Sequence, residues 1–170
     1  MGTTLEALVI KAGMLVSAHV GDSRTYLMRD GELNKITTDH SLVQELVDAG
    51  QITEEEAEVH PNKNIITRSL GQTSEVQADI QVLELQVGDI ILMNSDGLTN
   101  MVSTTEIMEV LEREDLTLDN KSEALVRLAN EHGGLDNITV VLIKYDETTE
   151  SETPAQEVSL SLIHISEPTR

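Results

Sequence analysis

Two hydrophobic periods alternate along the chain. Leu5 to Ile10, Met14 to Val20, Arg24 to Met28 and Glu32 to Ile36 are short apolar or alternating runs, separated by Gly13, by Gly21-Asp22-Ser23 and by Asp30-Gly31. They predict four consecutive strands, and Asp30-Gly31 is a strong hairpin signal. From Ser41 to Ala49 the period lengthens. Leu42, Val43, Leu46 and Val47 fall at helical spacing, with a Ser41/Gln44 capping box at the start and Gly50 as the stop. Thr53 with Glu56 makes a second box and predicts a short helix, closed by Pro61. Strands return at Ala78 to Leu85 and Ile90 to Met93. Ser103 with Glu106 then opens a helix whose Ile107, Met108, Val110 and Leu111 form one apolar face, and Asn120 with Glu123 opens another, which Gly133-Gly134 ends. Ile138 to Lys144 is apolar on both faces, the pattern of a strand buried between layers. The order of elements predicts an α+β layered domain of mainly antiparallel sheets.

This organisation gives one domain, residues 1–146, with residues 38–67 as a helical excursion from the sheet. After Tyr145 the chain turns polar and acidic without apolar period, so residues 147–170 are expected to form a disordered tail. The last ten residues, Ser161 to Arg170, resemble the translation of a sequencing adapter, so 159–170 are read either as non-native or as a natural variable tail.

Composition narrows the chemistry. With no Phe or Trp and two Tyr in 170 residues, the core must be aliphatic. The absence of cysteine removes disulfides, thiolate catalysis and Cys-ligated zinc together. A balance of 31 acidic to 11 basic residues, formal charge -20, repels phosphate backbones and anionic lipid, so neither nucleic acid nor a membrane surface is an expected partner. No apolar run approaches the roughly 20 residues that span a bilayer, and no secretory signal pattern opens the chain. The expected location is the cytoplasm.

Three aspartates stand at strand ends. Asp22 follows Met14 to Val20, Asp96 follows Ile90 to Met93, and Asp136 precedes Ile138 to Lys144. If the last strand is antiparallel to the other two, all three share one edge of the sheet. Clustered carboxylates without His or Cys suit magnesium or manganese, and a metal pair of this kind supports phosphoryl transfer. The competing reading is three separate turns, each with Asp as its ordinary occupant.

Five motifs add a resemblance: Val20-Gly21-Asp22-Ser23-Arg24, Thr38-Asp39-His40-Ser41, Thr67-Arg68-Ser69-Leu70-Gly71, Ser95-Asp96-Gly97-Leu98 and Asp136-Asn137-Ile138-Thr139. In order and spacing they resemble the type 2C metal-dependent Ser/Thr protein phosphatases of the bacterial branch, over Met1 to Tyr145. The resemblance implies an αββα sandwich and a centre of two or three Mn2+ or Mg2+ ions. Asp96 and Asp136 would ligate one ion of the pair, and Asp22 would help hold a third beside Asp96. It also implies hydrolysis of phosphoserine and phosphothreonine in phosphoproteins by a metal-activated hydroxide, opposing a cognate Ser/Thr kinase pathway. Residues 38–67 match the family's flap, in which His40 would have a hydrogen-bonding rather than catalytic role. The family's upstream part, with a metal-bridging Asp and a phosphate-gripping Arg, has no counterpart here. The chain is therefore read as the C-terminal portion of an N-terminally truncated domain, weakly active or inactive, with exposed apolar sheet edges. The alternative is a catalytically dead, phosphatase-like binding module.

Overall fold

The computed structural model describes residues 2–73 and 75–146, together with the backbone of 159–165. In chain order the elements are β1 (Leu5–Lys11), β2 (Met14–Val20), β3 (Arg24–Arg29), β4 (Glu32–Lys35), α1 (Leu42–Asp48), α2 (Glu54–Glu58), β5 (Asp79–Glu84), β6 (Ile90–Asn94), α3 (Asp96–Thr99), α4 (Thr104–Glu112), α5 (Leu118–Glu131), β7 (Ile138–Lys144) and β8 (Ser159–Ile165). Two compact units divide them: Met1–Arg24 with Thr37–Leu83, and Thr25–Ile36 with Glu84–Arg170. Among the described residues no helix is long and apolar enough to cross a membrane.

The first unit is built on a sheet of order β1-β2-β5. β1 and β2 form an antiparallel hairpin with Leu5 opposite Val20 and Lys11 opposite Met14. Its two-residue turn, Ala12 and Gly13, has positive φ at both positions, the geometry that matches the strands' own twist. Leu15, Ser17 and His19 alternate along one face of β2 and are buried. The opposite face is apolar and open: Leu5, Val9, Met14, Val16, Ile80 and Val82 are all exposed. The apolar exposure expected at sheet edges thus lies on a sheet face. The excursion is helical, as its period predicts. α2 has the full capping box, Glu56 N–H donating to Thr53 Oγ1 and Thr53 N–H to Glu56 Oε2. α1 has half of one, because the Gln44 amide donates to Asp48 rather than returning to the cap.

The second unit carries a five-stranded sheet of order β4-β3-β6-β7-β8. β3 and β4 are joined at Asp30-Gly31, where positive φ at both residues makes the predicted hairpin turn. β6 and β7 run antiparallel with Leu92 opposite Leu142. α4 and α5 bury their apolar stripes with this sheet, so that Leu92, Leu98, Ile107, Leu125, Val140 and Leu142 form one aliphatic core. Each such fully buried side chain contributes about 1.5–3 kcal/mol.

Four expectations change. The turn expected at Asp96 is a helical turn, α3. α5 starts three residues before the predicted box: Thr117 is the N-cap, accepting from Asn120 N–H, and Leu118 packs on the core. Asp22 ends a strand of one sheet while Asp96 and Asp136 flank strands of the other, so the three do not share a single sheet edge. Of the tail predicted to be disordered, 147–158 and 166–170 lie outside the described residues, whereas Ser159–Ile165 forms β8, antiparallel to β7 with Ile165 opposite Ile138. An unpaired strand edge is a template for any extended apolar segment within reach, which accounts for the pairing.

Candidate metal centre

Asp96 and Asp136 are brought to one end of the second unit's sheet by a set of backbone contacts. Ser95 N–H donates to Thr139 O (3.1 Å), Thr139 N–H donates to Ser95 Oγ (3.0 Å), and Ser95 Oγ–H donates to Asn137 O (3.0 Å). The residue before Asp96 is thereby tied on three lines to the start of β7. Gly97, the residue after it, lies flat against the same segment. A Cβ there would sit 3.0 Å from the Asn137 carbonyl carbon and overlap its oxygen. Only glycine admits this approach, which is why Ser-Asp-Gly and Asp-Asn-Ile-Thr act as one structural unit.

The carboxylates are held rather than buried. Asp96 stands in the first turn of α3, half-buried, and its Oδ2 accepts from the Asn100 amide (3.2 Å) one turn later. Asp136 is exposed, and its Oδ1 accepts from Asn137 N–H (2.7 Å), which orients the side chain at the mouth of β7. Asp22, in the first unit, is half-buried and follows Gly21, whose φ of +119° lies in a region that L side chains rarely adopt. Thr4 closes over that turn: a Cβ on Gly21 would overlap its side chain, and the Thr4 and Ser23 hydroxyls share a hydrogen bond of 3.0 Å.

Among the described residues no three His, Cys, Asp or Glu side chains are gathered as a metal-holding group. The donor set nonetheless has the right chemistry. Asp96 and Asp136 offer hard oxygens at the solvent boundary, two ligands of the six that an octahedral Mg2+ or Mn2+ takes. They fit such an ion as a partial set. Ser95, Gly97 and Asn137, which build the site without touching a ligand, are legible in the sequence only as neighbours of the two aspartates.

The model of the protein phosphatase 2C family matches residues 1–138. Protein phosphatase PhpP of Streptococcus pneumoniae is 54% identical over 147 residues, covering 86% of this chain and 59% of its own length. The solved serine/threonine phosphatase of S. agalactiae superposes with a TM-score of 0.81 at 55% identity, covering 86% of this chain and 60% of that one. The catalytic domain of the serine/threonine phosphatase PstP, solved with two manganese ions, superposes with a TM-score of 0.74 at 42% identity, covering 84% and 57%. The chain thus spans about 59% of the length of the first of these relatives. Its mixed helices and antiparallel sheets are those of the solved phosphatases, and the chain belongs to the protein phosphatase 2C family.

Proposed function

We propose that the chain is the C-terminal part of a cytoplasmic Ser/Thr protein phosphatase domain, whose complete form hydrolyses phosphoserine and phosphothreonine in phosphoproteins and opposes a cognate kinase pathway. Residues 1–146 belong to that domain, and 38–67 are its flap. The observation that carries the reading is the stitching of Ser95 and Gly97 to Asn137 and Thr139, because it seats two carboxylates at one sheet end. Asp96 and Asp136 would hold one Mn2+ or Mg2+, with Asn100 orienting Asp96, and Asp22 would help to hold a third ion. Cations bound there would acidify water and neutralise the phosphoryl oxygens. The protein's own part is to hold the two carboxylates in register and open to solvent. With two gathered carboxylates rather than three or more among the described residues, the 170-residue chain alone is expected to bind metal weakly and to hydrolyse little or nothing.

Calorimetric titration of the whole chain with Mn2+ tests this, with Asp96→Asn and Asp136→Asn alongside. Saturable heat in the wild type, lost in both variants, is expected. The same non-saturating heat from all three refutes a shared site, and robust Mn2+-dependent phosphopeptide hydrolysis refutes the expectation of weak activity. The incomplete carboxylate set also favours a second reading, a catalytically dead module that binds phosphoproteins. Phosphopeptide binding without turnover, at an affinity indifferent to Mn2+, would select it.

A further inference from the structure

The residue that opens the flap is bonded to the residue that precedes Asp22. His40 N–H donates to Gly21 O (2.7 Å), and Gly21 N–H donates to His40 Nδ1 (3.0 Å), a reciprocal pair between two buried residues. The same two segments meet again one step away. Arg24 Nε reaches both carboxylate oxygens of Asp39 (2.9 and 3.1 Å) and its Nη2 donates to Oδ2 (2.6 Å). Asp22 therefore lies between two anchors, Gly21 and Arg24, held by the consecutive residues Asp39 and His40.

His40 also gathers the other end of the flap. Its carbonyl accepts from Thr67 N–H (2.9 Å), Ser41 bridges Ile66, and Leu42 N–H donates to Ile65 O (2.9 Å). The ring continues the link. Its Nε2 stands 2.9 Å from Arg68 Nη1 and 3.1 Å from Asp79 Oδ2, and Arg68 Nη1 in turn donates to Asp79 Oδ1 (2.6 Å). A cavity of about 240 Å³ opens at this root, lined in part by Asp39, His40, Arg68 and Asp79. One histidine side chain and its backbone thus join both flap ends to the Asp22 turn.

We propose that His40 is a positioning residue. It sets the Asp22 turn from the root of the flap, so that seating the flap and placing the Asp22 carboxylate for a cation are one event. The inference rests on the reading of Asp22 as a metal ligand. Second partners of this kind tune metal affinity by orienting the ligand, not by touching the ion.

The test is an NMR titration of the 170-residue chain with Mn2+, following paramagnetic broadening of the Asp22 amide and hydrogen exchange of the Gly21 amide. Wild type, His40→Ala and His40→Asn are compared. His40→Ala is expected to speed Gly21 exchange about tenfold and to raise the Mn2+ concentration for half-broadening at Asp22 about tenfold, leaving Asp96 and Asp136 unmoved. His40→Asn, whose Oδ1 can accept where Nδ1 does, restores both. If His40→Ala does not fold, His40→Gln, which loses the acceptor at the Nδ1 position, replaces it with the same expectations. Faster Gly21 exchange with unchanged broadening at Asp22 overturns the positioning role, and unchanged exchange overturns the clamp. Absence of broadening at Asp22 in the wild type removes Asp22 as a ligand, a failure of the functional reading distinct from either.

Discussion

Gly97→Ala isolates the contact on which the candidate site depends. Gly97 lies within the single turn of α3, where alanine is the better helix former by roughly 0.5–1 kcal/mol. Propensity alone therefore predicts stabilisation. The new Cβ would meet the Asn137 carbonyl, its carbon 3.0 Å away and its oxygen nearer, and both are backbone atoms that no rotamer change can remove. Relief requires separating α3 from the start of β7, against the three Ser95 hydrogen bonds. Overpacking of this kind costs about 1–3 kcal/mol, and rigid backbone on the far side puts it at the upper end. Less the propensity gain, the expected net loss is about 2 kcal/mol, or roughly 4–8 °C in melting temperature for a chain of this size. Urea unfolding followed by far-UV circular dichroism measures it. Gly88→Ala is the control in the same unit: φ is +96° with nothing within 4 Å, so its cost is backbone strain alone, about 1–2 kcal/mol. Gly88→Asn should recover part of that loss, because Asn tolerates positive φ. Gly97→Asn should recover nothing. A Gly97→Ala protein as stable as wild type, with an unaltered Mn2+ titration, would refute the argument that Gly97 sets the spacing of Asp96 and Asp136.

Three further outcomes follow from other parts of the molecule. Arg29 Nε and Nη2 donate to the two oxygens of buried Asp89 at 2.8 and 2.6 Å, and Nη2 also reaches Glu84 O; Arg29→Met leaves that carboxylate the Gln86 N–H but takes away its cation, at a cost of about 3 kcal/mol, and adding Asp89→Asn should recover much of it in a double-mutant denaturation cycle. Burial pushes the His19 pKa down, but the hydrogen bond and charge of Glu6 at 2.6 Å outweigh it and leave the pKa raised above its ordinary 6.5. A raised folded value means the stabilisation is complete below pH 6.5 and is lost as pH rises through the folded pKa; urea midpoints should fall over that window, and Glu6→Gln should flatten the slope. The open apolar face of the first unit's sheet promotes self-association, so Val9→Thr with Val82→Thr, at 62% and 56% exposure, should lower light scattering on concentration with little change in unfolding midpoint.

The strands, α1, α2 and α4 are legible because each is written in local terms: a period, a cap, a turn residue with the required φ. What is not legible is the choice of distant partners. Gly21-Asp22-Ser23 reads locally as a turn between neighbouring strands, yet β2 pairs with β1 and β5 while β3 enters the other sheet. Nothing in a two-residue period distinguishes these outcomes. α3 is hidden for a related reason. Four residues with a glycine among them have no helical preference of their own, and the turn forms where Ser95 is tied to a strand 44 residues later in the chain. At the site, Asp96 and Asp136 can be placed from sequence because one antiparallel pairing suffices. The roles of Asp39 and His40 cannot, since their partners Arg24 and Gly21 lie 15 and 19 residues back. Once those pairs are seen, two of the five motifs cease to be separate signals. Gly21-Asp22-Ser23-Arg24 and Asp39-His40 are the two halves of one joint, each supplying donors where the other supplies acceptors, so a change in either half should be felt first at Asp22, which stands between the anchors.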